Sequence, residues 1–251
     1  VGAWAGPSRG LLVPTGKQAN GGRSVTLLAM TTRSAAPEEP QGYMYSGERE
    51  AAGRLNYAVL TLSLPPGRKS GDLPVDADRP DPDKHVTLVS ARAIDKSGAE
   101  QFLAAELEKR PVDQRKALVF THGYNTQFDE AAMRFAQIVD DTGFRGVPVL
   151  FSWPSRGDAT AYAYDKESAN YSRDAFESAL TMIARKKKLA NIELFTHSMG
   201  NWLTMETLRS AVISGNKALI GRLGTIVLAA PDVDMDVFRT QVTRLGGLQK
   251  K

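Results

Sequence analysis

From Ser97 onward, short apolar runs alternate with stretches of helical periodicity. That rhythm leaves a chain few options besides a parallel sheet packed under helices. The apolar runs cover 117–121, 147–153, 192–196 and 225–230, lengths that suit strands buried on both faces. Between them, 129–141 places Ala131, Phe135, Ile138 and Val139 on one face, with acids in its first turn and Gly143 beyond its end. A second helical pattern, 166–188, spaces Phe176, Ala179, Leu180 and Ile183 for a core, and a third occupies 199–214. Ser97 and Glu100 have capping-box spacing, so a helix is expected to open there and run to about Lys109. No internal repeat is visible.

The first ninety residues read differently. Segments 24–33 (SVTLLAMTTR) and 55–64 (LNYAVLTLSL) are β-type runs, with Pro37, Pro40 and Gly42 marking a loop between them. Residues 65–84 hold five prolines in an acidic, turn-rich stretch, and 85–91 is a further strand. Spacing this short leaves no room for crossover helices, so these strands are expected to pair antiparallel at one edge of the sheet. Ahead of them, 1–23 is rich in Gly, with Pro7 and Pro14, and reads as a flexible segment like a tether behind a removed leader. Export to the periplasm or envelope is the compartment this suggests, although a chain simply cut at Val1 looks the same. One domain then occupies 24–251.

Composition narrows the function classes. At 42% hydrophobic residues, the 251-residue chain can fill one sizeable core. Its 32 basic and 28 acidic residues give a net charge of +4, too small and too evenly spread to argue for nucleic acid. The densest basic run, 185–188, falls where a helix should end and complements the helix dipole. With no cysteine, disulfides, thiolate metal sites and thiol nucleophiles are excluded. No apolar run approaches the ~18 residues a membrane span needs. Three histidines without ligand spacing offer no metal site, and no Gly-rich phosphate loop follows a strand, so no metal or cofactor is expected. Oligomeric state is not legible.

The chemistry concentrates in 191–201, NIELFTHSMGN. A buried strand runs straight into a serine, then a glycine two positions later, then an amphipathic helix. So sharp a strand–serine–helix turn forces Ser198 into a strained backbone that its surroundings must hold. The positions two before and two after it must be small; Gly200 satisfies this, whereas Thr196 stands where Gly is usual. A hydroxyl placed there stands proud of the sheet's carboxyl edge, near the positive end of the following helix. The Met199 N–H then faces the oxygen that becomes negative in a tetrahedral intermediate. A second donor is expected from the loop 121–125 (THGYN), whose His-Gly pair turns tightly and offers the Tyr124 N–H. An ordinary strand–loop turn using Gly for its backbone freedom is the competing reading of that pair.

Taken with LLAMTTR, YSGER (45–49), FTHGYN, FSWPSRGDATAYAYDKESA (151–169), FTHSMGN and LAAPDVDMDVF (228–238), the chain resembles the α/β-hydrolases. It is most similar to a bacterial esterase/lipase-like branch of unknown function, over about residues 11–247. The resemblance implies an α/β-hydrolase fold: a mostly parallel sheet, helices on both faces and an antiparallel N-terminal edge. It also implies a serine hydrolase acting through an acyl-enzyme on ester-type bonds of a small-molecule acyl substrate. A thioesterase, amidase or acyltransferase, and a hydrolase-like binding or scaffold protein without catalysis, stay open.

In this fold the triad runs Ser, then Asp or Glu, then His. Asp232 directly follows the 225–230 strand and is the candidate acid; the alternative puts the acid after a further strand, beyond residue 251, and leaves Asp232 to cap the next helix or shape the pocket floor. No histidine follows it. His197 should point away from the Ser198 hydroxyl, His122 should sit under the oxyanion loop, and His85 has no visible partner. The base is therefore expected beyond residue 251, with the domain incomplete at its C-terminus and these 251 residues poor catalysts alone. At the same sheet edge, Trp153 is a candidate for an acyl pocket or for the core. Tyr162, Tyr164 and Asp165 are candidates for a pocket wall, a lid or a plain surface loop.

Overall fold

The computed structural model of the chain describes residues 10–36, 42–230 and 235–245. Its centre is a seven-stranded sheet in the order β5-β4-β1-β7-β6-β8-β9. The strands are β1 (Arg23–Thr31), β4 (Asn56–Leu64), β5 (Thr87–Ile94), β6 (Lys116–Thr121), β7 (Val147–Ser152), β8 (Asn191–His197) and β9 (Leu223–Ala229). From β1 through β7, β6 and β8 to β9 every pairing is parallel, and β1, β4 and β5 pair antiparallel. The mostly parallel sheet with an antiparallel N-terminal edge is the expected α/β-hydrolase arrangement.

Strand alternation sorts the core onto two faces. In β1, Leu28 and Met30 join one apolar cluster while Leu27 and Ala29 join the other. The first cluster is covered by α1 (Lys96–Lys109), α4 (Arg173–Ala184) and α5 (Met199–Ile213). The second is covered by α2 (Phe128–Thr142) and by Leu11 and Leu12. Of the segment expected as a tether, Leu11 and Leu12 pack on this second face, where the Asp129 carboxylate accepts the N–H groups of Gly10 (2.9 Å) and Leu11 (3.1 Å).

Three boundaries depart from the sequence reading. Asp95 caps α1, accepting from the Gly98 N–H at 2.7 Å, so the helix opens before the Ser97–Glu100 pair. The 166–188 pattern is two helices, α3 (Tyr162–Tyr171) and α4, joined at Ser172. The buried Ser172 hydroxyl donates back to Ser168 O (2.8 Å) and meets the Thr32 hydroxyl (2.8 Å), which ties the joint to the chain leaving β1. The 24–33 run also divides, because Arg33 begins a separate strand β2 (Arg33–Ala35). That strand pairs antiparallel with β3 (Tyr45–Arg49) in a two-stranded strap. The remaining helices, α6 (Lys217–Ile220) and α7 (Met235–Arg244), flank β9 in sequence. No helix among the described residues is long and apolar enough to cross a membrane.

Candidate active site

At the end of β8 the chain passes through Ser198 with φ 52° and ψ −123° and enters α5 at once. A serine at positive φ is strained, and contacts on both sides of this turn hold it. A Cβ on Gly200 would lie 2.5 Å from the His122 carbonyl oxygen and 3.0 Å from that of Thr121. A Cβ on Gly123 would lie 2.8 Å from the Ser198 Cβ. The two glycines are thus the faces on which the elbow and the β6–α2 loop touch. Neither position admits a side chain without moving the serine away from the loop.

Thr196, the departure from the usual small residue, is accommodated by a partner. It is fully buried, and its hydroxyl donates to the Asn201 side-chain oxygen, whose amide in turn donates to Ala229 O at 2.9 Å. The Ser198 N–H also donates to Ala229 O, at 3.0 Å. Asn201 therefore stitches β8, β9 and the start of α5 together. Its spacing of five from Thr196 was visible in the sequence, but its burial was not.

The histidines separate cleanly. Phe195 packs on the α2 face, and His197, two residues on, falls on the same face. Burial and then the charge of Arg134 hold its imidazole below its ordinary range. His85 lies before β5, the strand at the edge of the sheet opposite β9, and its Nδ1 accepts from the Asp81 N–H at 3.2 Å. His122 is fully buried and stacks on Trp153 with ring centres 5.0 Å apart. Its Nδ1 is 2.8 Å from Gly123 O and its Nε2 is 2.9 Å from the Ser152 hydroxyl. Trp153 is fully buried too, and its indole N–H donates to the His122 carbonyl at 2.9 Å, which gives it to the core instead of an acyl pocket.

Beneath the loop lies a polar layer that the sequence did not announce. Arg33, 1% exposed, donates from Nε to Ser152 Oγ (2.8 Å), from Nη1 to Ser155 O (2.8 Å) and Ser46 O (3.1 Å), and from Nη2 to Thr126 O (2.7 Å). Burial lowers its guanidinium to about 10, partly offset by the charges of Asp165, Asp129 and Glu130. Asp165, the first acid of α3, is fully buried. Its carboxylate accepts from the Ser155 hydroxyl, the Arg156 N–H (3.0 Å) and the Asn125 N–H (3.2 Å). The Thr126 N–H donates to Ser155 Oγ at 3.0 Å. Of the three residues expected at a wall or lid, Asp165 is thus a buried tie. Tyr164 carries two guanidinium groups against its ring, that of Arg49 on the strap (4.6 Å) and that of Arg156 in the chain after β7 (3.7 Å). Tyr162 is exposed, with its ring 5.3 Å from that of Tyr124.

Of the expected site residues, Ser198, Met199 and Tyr124 come together at the carboxyl edge, and the Tyr124 hydroxyl donates to Ala159 O across the mouth. Asp232 lies outside the described residues. A groove of about 1180 Å³ opens elsewhere, between the start of α1 and α4 beside Asn56, Lys96, Asp174 and Arg185. No group of three His, Asp or Glu side chains suited to a metal occurs among the described residues.

Residues 95–251 match a family model described as "Alpha/beta hydrolase of unknown function (DUF900)", a span of well over half the chain. No curated protein and no solved structure matches it.

Proposed function

The chain belongs to this family of alpha/beta hydrolases of unknown function, and on that premise we propose that it is a serine hydrolase of ester-type bonds with Ser198 as nucleophile. The observation that carries the reading is the backbone of Ser198 itself. Positive φ at a half-buried serine between a parallel strand and a helix N-terminus is strain of the kind that concentrates at functional sites.

The proposed chemistry follows from that placement. The Ser198 oxygen attacks the ester carbonyl carbon and yields its proton to a base. The carbonyl oxygen becomes an oxyanion that accepts from the Met199 and Tyr124 N–H groups. Collapse expels the alcohol and leaves an acyl-enzyme, which water hydrolyses by the same route. None of His85, His122 and His197 is assigned as the base: one lies at the far edge of the sheet, one has both ring nitrogens engaged, and one faces the α2 layer. Asp232 is the proposed acid that would orient the base.

Mass spectrometry of the full-length natural protein after fluorophosphonate treatment tests this reading. The expected result is one adduct, on Ser198, lost in Ser198→Ala, together with hydrolysis of esters ahead of thioesters and amides. An unlabelled Ser198 with no hydrolysis of any of the three substrate classes would replace it with a hydrolase-like binding protein.

A further inference from the structure

The proposed oxyanion donor, the Tyr124 N–H, is only as good as its direction, and that direction depends on a peptide plane. Gly123 C=O and Tyr124 N–H belong to one planar trans peptide unit and point opposite ways. Whatever holds the Gly123 carbonyl inward therefore aims the Tyr124 N–H outward. The group against that carbonyl is His122 Nδ1, at 2.8 Å. An imidazole nitrogen restrains a carbonyl only if it carries the proton, since a lone pair in that place would repel the oxygen.

The other ring nitrogen decides the matter. His122 Nε2 faces the Ser152 hydroxyl at 2.9 Å and Arg33 Nη2 at 3.4 Å. A guanidinium has only donors, so Nε2 must present its lone pair to it. Ser152 Oγ already accepts from Arg33 Nε at 2.8 Å, which leaves its own proton for Nε2. Both contacts demand the same tautomer, with the proton on Nδ1. Protonating both nitrogens would set a second buried cation against Arg33, an arrangement that burial penalises.

Resting on the reading of Tyr124 as an oxyanion donor, we propose that Arg33 and His122 form a positioning relay: Arg33 locks His122 in its Nδ1–H tautomer, and His122 in turn holds the Gly123–Tyr124 peptide with its N–H toward Ser198. The rest of the loop is pinned to the same layer. Arg33 Nη2 holds Thr126 O, Ser155 Oγ holds the Thr126 N–H, and Asp165 holds the N–H of Asn125, which sits at φ 55°. The Tyr124 N–H meets no backbone acceptor among the described residues, as a donor kept for a transient oxyanion requires. The relay also gives a use to the LLAMTTR and FSWPS segments, which supply Arg33, Ser152 and Ser155 yet contribute nothing to the reacting atoms.

Long-range proton–nitrogen-15 NMR of the histidine side chains in the full-length protein reads the relay directly, with His122 assigned by its disappearance in His122→Asn. A neutral ring protonated at Nδ1 is expected; protonation at Nε2, or at both nitrogens, overturns the proposal. Kinetics with p-nitrophenyl acetate supply the second readout. His122→Phe keeps an aromatic ring on Trp153 but cannot hold Gly123 O. Its kcat should fall roughly 10²-fold, the scale of one lost oxyanion donor, with KM changed less than about twofold. His122→Asn, whose amide donates from near the Nδ1 position, should stay within roughly tenfold of the unaltered kcat. Equal losses in the two variants, or no loss in His122→Phe, overturn the relay. Ser198→Ala keeps the two failures apart, because undiminished hydrolysis there refutes the nucleophile itself. Should His122→Phe not fold, the tautomer in the unaltered protein still decides.

Discussion

The elbow and the loop that faces it are built by opposite means. The β8–α5 elbow is held by exclusion: Gly200 and Gly123 omit atoms so that backbone meets backbone, and the strain at Ser198 is maintained because nothing nearby can relax. The β6–α2 loop is held by attraction, through a buried cation, a buried carboxylate and two serine hydroxyls that reach it from β2, β7, the chain after β7, and α3. Steric devices act between residues a few positions apart or in touching backbones, and they fail abruptly. Electrostatic ones draw on distant segments, and they answer to pH and to the loss of single atoms. A sheet edge that combines both can hold a strained serine rigid and still set the direction of a single N–H.

The sharpest way to break the comparison is at the elbow. Gly200→Val places carbon atoms against the His122 and Thr121 carbonyls, and overpacking of this kind should cost about 3 kcal/mol in denaturant unfolding and abolish Ser198 labelling. A variant that unfolds like the unaltered protein would show that the contact yields easily. Next comes Asp165→Asn. It turns one carboxylate oxygen into a donor that faces either the Arg156 N–H or the Ser155 hydroxyl and Asn125 N–H, and should cost about 2 kcal/mol while leaving the backbone of Ser198 alone. The comparison holds if this variant loses stability and loop order but remains folded, and it breaks if Asp165→Asn proves costlier than Gly200→Val.

The smallest expected effect is in acid. Burial, reinforced by Arg33, holds His122 well below the ordinary histidine range, so the folded protein keeps it neutral where an unfolded chain would protonate it. The contribution is complete above about pH 6.5 and is lost as pH falls from there toward the folded value. The Tm gap between the unaltered protein and His122→Asn, which lacks this group, should therefore narrow from pH 7.5 to pH 5.5. A gap that stays constant or widens would mean that His122 is not held neutral.

How far each feature could be read beforehand follows the same division. The parallel strands, the antiparallel N-terminal edge and the Ser-x-Gly turn were legible because each depends on neighbours in sequence. The division of 166–188 at Ser172 was not, since no Gly or Pro interrupts 162–184 and only the contact with Thr32 marks the joint. Arg33 looked like the last residue of a strand, and the strap it begins with β3 had no periodic signal. Asp165 was singled out with Tyr162 and Tyr164 as pocket wall, lid or surface loop, because the helical pattern was read as starting only at 166 and a carboxylate outside it ordinarily faces water.

By itself, then, the sequence determined the architecture and the strand–serine–helix turn at Ser198, since hydrophobic period and turn sterics are local properties of the chain. Only the tertiary structure decided that Arg33 and Asp165 are buried together and which nitrogen of His122 carries the proton. The free energy of a buried charge or tautomer is set by every donor and acceptor within a few ångströms. In this protein those groups come from segments up to 132 positions apart, from Arg33 to Asp165.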